Sequence, residues 1–342
     1  MKNEYIVDDN LNVLRQIKGC SVDFVYIDPP FGKNRDFDDF DDRWNDIPLF
    51  VNEFLHPRIK EVHRILSRKG SVCVHCDISA SHYIKVMMDS VFGYNKLINE
   101  IIWKTGGNSK TKKKMYKSHD TILAYSKTAE YTFNPIYKPY GEEYFKKNNP
   151  KMCEIRNEYY SSCAIHNSQP EVVKRPNLRY EWNGHFKQWL VSEEKMKYLH
   201  KDNRLTYSKT GIPRIKRYLN EMEGVPITDV WLDISTIQNG EKLDYATQKP
   251  IKLVERIISM FSNEGDLVLD CFAGSGTTGI AAIRTRRNFT LIDKNIKGKK
   301  IFDKRFRETK GKIVVKNTKK KKVDKVSAFF QAKPRSIIKK KG

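Results

Sequence analysis

The sequence predicts an α/β fold, an open sheet flanked by helices and interrupted by one long insert. Three observations predict it. Short runs rich in β-branched and aromatic residues, Val22-Asp23-Phe24-Val25-Tyr26-Ile27, Leu267-Val268-Leu269 and Phe289-Thr290-Leu291-Ile292, each end in an acid: Asp28, Asp270 and Asp293. Segments with apolar residues at helical spacing lie between the runs. A polar, aromatic-rich and basic stretch over residues 131–228 separates the first strands from the last. With 342 residues the chain holds one large α/β domain with an inserted module, or two domains.

Tyr5-Ile6-Val7 reads as the first strand, and Leu11-Asn12-Val13-Leu14 begins a short helix that Asp9 is placed to cap. The next strand stops abruptly at Asp28-Pro29-Pro30-Phe31. Neither proline can donate to a sheet ladder, each has a fixed φ, and Asp28 before proline is pushed toward extended angles. The product is a rigid elbow past the carboxyl end of a strand, where ligands sit in open α/β sheets. It presents a carboxylate, free backbone carbonyls and one ring. That set suits methylation of an exocyclic amine on a base. Such an amine is a poor nucleophile because its lone pair is delocalised into the ring. A carboxylate and a carbonyl accepting its two N–H bonds localise the lone pair, and the aromatic ring stacks on the base. Asp-Pro and Pro-Pro also make ordinary strand-ending turns, so the elbow needs a companion site.

The acidic loop over residues 34–44 is unsuited to phosphates. Phe50, Val51, Phe54, Leu55, Ile59, Val62, Ile65 and Leu66 have helical spacing, as do Tyr83, Ile84, Met87, Met88, Val91 and Phe92. Between them Ser71-Val72-Cys73-Val74-His75-Cys76 reads as a strand. His75 is expected to be a satisfied core side chain, and Cys73 and Cys76, three apart on a strand, face opposite ways and suit no shared metal. Strands follow at residues 99–103 and 119–126. The loop between them carries Lys112, Lys113 and Lys114, either a phosphate grip or a solvated charge run. In the insert, Arg204, Lys209, Arg214 and Arg217 lie among aromatics and amides, a mixture that can grip phosphates and read base edges.

The companion site is Asp270-Cys271-Phe272-Ala273-Gly274-Ser275-Gly276-Thr277. Its glycines admit close backbone approach, and Asp293 ends the next strand where nucleotide-binding folds hold a ribose diol. The spacing Gly274-x-Gly276-x-x-Gly279 also leaves a nicotinamide reading formally open.

Together the two stretches resemble the amino-group DNA methyltransferases. The elbow looks like their catalytic motif, the glycine stretch like their S-adenosylmethionine motif, and Thr247-Gln248-Lys249-Pro250 like the element that closes the cofactor pocket. Catalytic motif first and cofactor motif last is the order of their β group. The resemblance implies a doubly wound, Rossmann-like sheet of about seven strands with an inserted target-recognition region. It divides the chain into a catalytic half (1–130), the recognition insert (131–228), a cofactor half (229–303) and a basic flexible tail (304–342). It implies catalytic Asp28, Pro29, Pro30 and Phe31, with Asp28 and the Pro29 carbonyl accepting the amine hydrogens. Cofactor contacts would come from Asp9 near the adenine, Thr247, Lys249, Asp270, Phe272, Gly274, Gly276, Thr277 and Asp293. The reaction implied is methyl transfer from S-adenosylmethionine to adenine N6 in DNA, without a metal. Cytosine N4 is the alternative target, since serine usually begins the cytosine motif and aspartate the adenine one. A catalytically inactive DNA-binding protein of the same fold is the second alternative.

The formal net charge of +23 argues for a polyanionic partner, most simply DNA. Other partners the resemblance admits are a second copy of the chain and a cognate restriction endonuclease. No apolar signal segment or membrane-length run occurs, and the six cysteines read as reduced thiols, so a soluble, intracellular, DNA-associated protein is expected. In the lysine-rich tail Val326, Phe329 and Phe330 have the spacing of the short peptide by which replication proteins dock on a sliding clamp, with Val323 where glutamine is usual. Alternatively, the two rings pin the tail to the catalytic domain.

Overall fold

The computed structural model describes residues 3–30, 35–37, 40–42, 46–106, 113, 115–169, 175–237, 240–245 and 247–317. Phe31, Lys112, Lys114, Val326, Phe329 and Phe330 lie outside the described residues. The chain forms two units, one of Met1–Asn134 with Asp229–Gly342, the other of Pro135–Thr228.

The first unit is built on an eight-stranded sheet. Its strands are β1 (Glu4–Val7), β2 (Val22–Ile27), β3 (Leu66–Cys76), β4 (Leu97–Lys104), β5 (His119–Ser126), β6 (Val230–Trp231), β7 (Leu267–Asp270) and β8 (Asn288–Asp293). The order is β1-β8-β7-β2-β3-β5-β4-β6. All neighbours run parallel except around β5, which is antiparallel to both β3 and β4. The two-residue strand β6, at the edge beside β4, takes the count to eight. β2 lies between β7 and β3 and is covered on both faces, so Val22, Phe24, Val25, Tyr26 and Ile27 are all buried. This is why its sequence is nearly continuously apolar rather than alternating.

Among the described residues, the helices that pack on the sheet are α1 (Asn10–Gln16), α2 (His56–Ile65), α3 (Ser81–Phe92), α4 (Ile251–Phe261), α5 (Thr277–Arg284) and α6 (Ile296–Asn317). The segment leading into α2 widens to a π-helical turn over Phe50–Leu55, and the His56 N–H bonds the Val51 carbonyl. Pro57 has no N–H for the Glu53 carbonyl, so a wider turn upstream of it costs little hydrogen bonding. α4 buries Leu253, Val254, Ile257, Ile258 and Phe261, and Phe261 stacks on Phe24 at 5.9 Å between ring centroids. The basic tail is expected from residue 304, and α6 covers the first part of that stretch. α6 runs through Asn317, and Phe302, Arg305 and Thr309 give it a buried face. Among the described residues no helix is long and apolar enough to cross a membrane.

The second unit has its own four-stranded antiparallel sheet, ordered Leu205–Tyr207, Pro213–Tyr218, Glu158–Ala164, Lys151–Cys153. A hairpin pairs Arg179–Trp182 with His185–Gln188, and Ile165, Trp189, Met196, Leu199 and Leu205 form a core.

Candidate active site

Asp28 follows the last residue of β2. Its carboxylate is split between two environments. Oδ2 accepts a hydrogen bond from Lys249 Nζ at 2.5 Å. Oδ1 is buried and has no hydrogen-bond partner among the described residues. Leaving a buried acceptor unpaired costs about 1–3 kcal/mol, more when it is charged. Oδ1 is therefore an acceptor open to a donor beyond the described residues.

Beneath the elbow lies a buried polar chain. Tyr26 Oη is 3.0 Å from His75 Nδ1, and His75 Nε2 is 3.2 Å from Asp120 Oδ2. Lys117 Nζ bonds the other Asp120 oxygen at 2.6 Å and approaches Asp77 at 3.4 Å. Burial, and then the charge of Lys249, lower the pKa of His75 against the pull of Asp120. Burial raises the Asp120 carboxyl, but its bonds to His75 and Lys117 outweigh this and hold it well below the usual range. An ionised Asp120 can only accept, so Nε2 carries the imidazole proton and Nδ1 accepts from Tyr26. The Trp103 ring meets His75 edge to face at 5.7 Å. His75 is thus the satisfied core side chain its setting in the sequence suggests.

The glycine loop between β7 and α5 sits next to the elbow because β7 pairs with β2 (Val268 with Phe24, Leu269 with Val25). Asp270 turns inward. Its Oδ1 accepts from the Phe272 N–H at 2.9 Å and its Oδ2 from the Thr278 hydroxyl at 2.5 Å. Asp293, ending β8, accepts from the Gly274 N–H and the Asn295 N–H, each at 2.8 Å. Gly274 and Gly276 have φ of +49° and +74°, a region costly for other residues. What lies against the glycines is mostly protein. A Cβ on Gly274 would come within 2.9 Å of the Tyr245 ring, one on Gly276 would run into Phe302, and one on Gly279 would sit 2.7 Å from Leu291. The loop is propped from behind by α6. Arg305 Nη1 donates to the Ser275 carbonyl at 2.8 Å and to Thr277 Oγ1 at 3.1 Å, and burial lowers its pKa to about 10.

A family model described as DNA methylase, for N6 and N4 methylation, matches residues 22–304. This chain belongs to that DNA methylase family. The type II methyltransferase M.EcaI of Enterobacter cloacae is 29% identical over 327 residues, covering 90% of this chain and 70% of that protein. The DNA adenine methyltransferase YhdJ of Escherichia coli is 27% identical over 290 residues, covering 84% and 76%. A Thermus thermophilus protein described as a DNA modification methylase superposes with a TM-score of 0.51 at 20% identity, covering 90% of this chain and 95% of that one. At that identity the likeness speaks for the doubly wound fold.

Methylases of this family draw their methyl group from S-adenosylmethionine, and the strand-end residues fit that molecule. Asp293 keeps acceptor capacity beyond its two backbone bonds, enough for ribose hydroxyls. Phe272 is half-buried beside Phe54, their centroids 6.0 Å apart. Other residues read as cofactor contacts have duties inside the methylase. Asp9 caps α1, accepting from the Leu11 and Asn12 N–H groups, and pairs with Arg58 at 3.1 Å. Asp270 and Thr277 bond within the loop and to Arg305, Gly276 makes room for Phe302, and Lys249 reaches Asp28. Thr247 lies half-buried in the same element. The sequence reading missed Asn10, whose amide reaches the Cys271 carbonyl at 2.6 Å, and Arg58, whose guanidinium lies 3.8 Å over Phe54. It also missed Tyr5, which bonds the Gly274 carbonyl at 2.7 Å.

Two of the basic residues assigned to DNA are committed within the second unit. Arg204 pairs with Asp202 at 2.8 Å and Glu221 at 2.5 Å, and Arg214 donates twice to Ser162 at 2.7 Å. These partners hold the two guanidinium groups in place within the second unit. Lys209 and Arg217 are exposed, as is Lys113 in the first unit.

Burial raises the Asp270 carboxyl to about 7, against the bonds from Thr278 and Phe272, with Asp28 and Asp293 adding to the rise. A carboxyl with a raised folded pKa stabilises the fold below its unfolded value and loses that contribution as pH climbs through the folded one. The methylase should therefore lose stability from this group between about pH 4 and pH 7, at up to about 1.4 kcal/mol per pH unit. Asp270→Asn, which can still accept from Phe272, should flatten the melting temperature over that interval relative to wild type. Parallel curves for the two proteins would show that Asp270 does not titrate there.

Proposed function

We propose that this chain is a site-specific DNA methyltransferase that transfers a methyl group from S-adenosylmethionine to adenine N6. The observation that carries the reading is Asp28 itself: a carboxylate at the head of the elbow, with one oxygen held and the other buried and awaiting a donor. An aspartate in the first position of the motif goes with adenine, where serine usually marks cytosine N4. The adenine methyltransferase among the relatives supports the same choice.

S-adenosylmethionine supplies an electrophilic methyl group carried on sulfur. The chain's own residues prepare the nucleophile. Asp28 Oδ1 accepts one amine hydrogen and the Pro29 carbonyl the other, so the nitrogen lone pair is localised and aimed. Phe31 stacks on the base. A base paired in duplex DNA cannot reach a strand-end elbow, so it must leave the stack, at a cost of about a few kcal/mol. Holding the two reactants in line supplies much of the rate. Asp293 holds the ribose of the donor. Lys209, Arg217 and Lys113 contribute phosphate contacts that strengthen as salt falls.

The deciding measurement is mass spectrometry of nucleosides from DNA of cells expressing the protein. N6-methyladenine is expected. N4-methylcytosine instead would move the target, and no modified base alongside intact cofactor binding would leave a DNA-binding protein without chemistry. Asp293→Ala should weaken S-adenosylmethionine by roughly 1.5–3 kcal/mol in calorimetric titration, the range for a hydrogen bond to a charged group. An unchanged affinity would remove Asp293 from the ribose.

A further inference from the structure

The resemblance assigns Lys249 to the cofactor pocket. Its ammonium lies 2.5 Å from Asp28 Oδ2, across 221 residues of sequence. Both side chains are largely buried, 14% exposed for Lys249 and 15% for Asp28. Lys249 is also anchored at its backbone. Pro250 follows it at the N-cap of α4 with φ of −62°, so the lysine leaves from the mouth of a rigid helix that is packed on β2 through Phe261 and Phe24. A carboxylate on a single side-chain bond can turn, and its two oxygens are chemically alike until something distinguishes them. Lys249 distinguishes them. It occupies Oδ2 and leaves Oδ1 as the buried oxygen without a partner among the described residues.

We propose that Lys249 is a positioning residue for methyl transfer, which fixes the plane of the Asp28 carboxylate so that Oδ1 alone meets the target amine. The inference rests on the reading of Asp28 as acceptor for that amine. Lys249 itself touches neither the amine nor the methyl group and takes part in no bond change. Its loss would misplace the acceptor, and a misplacement of about 1 Å at a reacting group can cost about a hundredfold in rate.

The test uses the full-length protein, unmethylated genomic DNA and S-adenosylmethionine labelled in the methyl group. Lys249→Met should lower kcat by about a hundredfold while the KM and the calorimetric affinity for S-adenosylmethionine change by less than about threefold. Lys249→Arg, which keeps a cationic donor, should recover part of the rate. Ethylammonium should restore turnover to Lys249→Ala by filling the vacated place beside Oδ2. Melting curves of the three variants identify any that fails to fold, and the arginine variant and amine rescue still decide the matter then. A Lys249→Met protein that binds S-adenosylmethionine poorly but turns over at the wild-type kcat would return the lysine to the cofactor pocket and overturn the proposal. Asp28→Ala run in parallel separates the two claims. If it keeps its rate, the reading of Asp28 fails and the role of Lys249 with it. If it is inactive while Lys249→Met is fully active, only the positioning role fails.

Discussion

Asp28→Ala is expected to abolish nearly all methylation while leaving the affinities for S-adenosylmethionine and DNA within about tenfold, or ~1.4 kcal/mol. The imbalance follows from where the carboxylate sits. One oxygen is held by Lys249, so it is not free to grip a ligand, and the other is a buried acceptor without a partner among the described residues, suited to a single N–H. Such an acceptor adds little to binding of a large duplex. It matters when the amine nitrogen gains positive charge, because a fixed negative group in a water-poor site then acts at close range. Single-turnover kinetics with saturating cofactor and DNA would read the chemical step alone. More than a tenth of the wild-type rate in the variant would sink the assignment.

The second large effect is expected at Phe302, far from the chemistry. Its ring packs 5.5 Å from Tyr5, 5.6 Å from Phe289 and 5.5 Å from Phe306, and it fills the space left bare by Gly276 and Gly279. Truncating a fully packed phenylalanine removes about 3–5 kcal/mol, part of it as the cavity left behind. Here the cavity opens directly under the glycine loop, so Phe302→Ala should also weaken S-adenosylmethionine binding. Urea unfolding followed by circular dichroism measures the first effect. A loss under about 1 kcal/mol would mean that the loop collapses onto α6 and needs no prop.

How far the sequence reveals this depends on whether the cause is local. The strands ending at Asp28, Asp270 and Asp293 are legible because burial on both faces demands continuous apolar runs and because prolines and glycines end them. The elbow and the glycine loop are legible for the same reason, and their meeting is implied once both motifs are assigned to one family. What the sequence does not reveal is which partner each side chain selects. Lys249 and Asp28 are brought together by the pairing of β2 and β7 and the docking of α4, and no local pattern encodes that distance. Gly276 reads as part of a ligand cradle, and the ring that lies against it comes from α6, at the very point where the chain turns lysine-rich and resembles a tail. The spacing of Phe302 and Phe306, four apart, is a helical signal that charge composition obscures. Arg204 is a further case: its type and neighbourhood suggest phosphate, and its pairing with Glu221 has no local signal in the sequence.

The pairing of β2 with β7 has a temporal side. Leu267, at the start of β7, donates its N–H to Asp23 of β2 at 3.0 Å, and the two residues are 244 positions apart. A ribosome adding about 5–20 residues per second needs about 10–50 s to bridge that gap. Once β3 has been made, β2 can pair with it on one side, while its other edge, apolar on both faces, waits for a neighbour that has not been made. Waiting edges of this kind invite association with other chains, and long-range parallel pairing is slow even once both strands exist. The nascent protein thus passes through a stage in which the elbow has been synthesised but β7, β8 and the glycine loop have not. The elbow gains its neighbour on that side only when β7 closes the sheet.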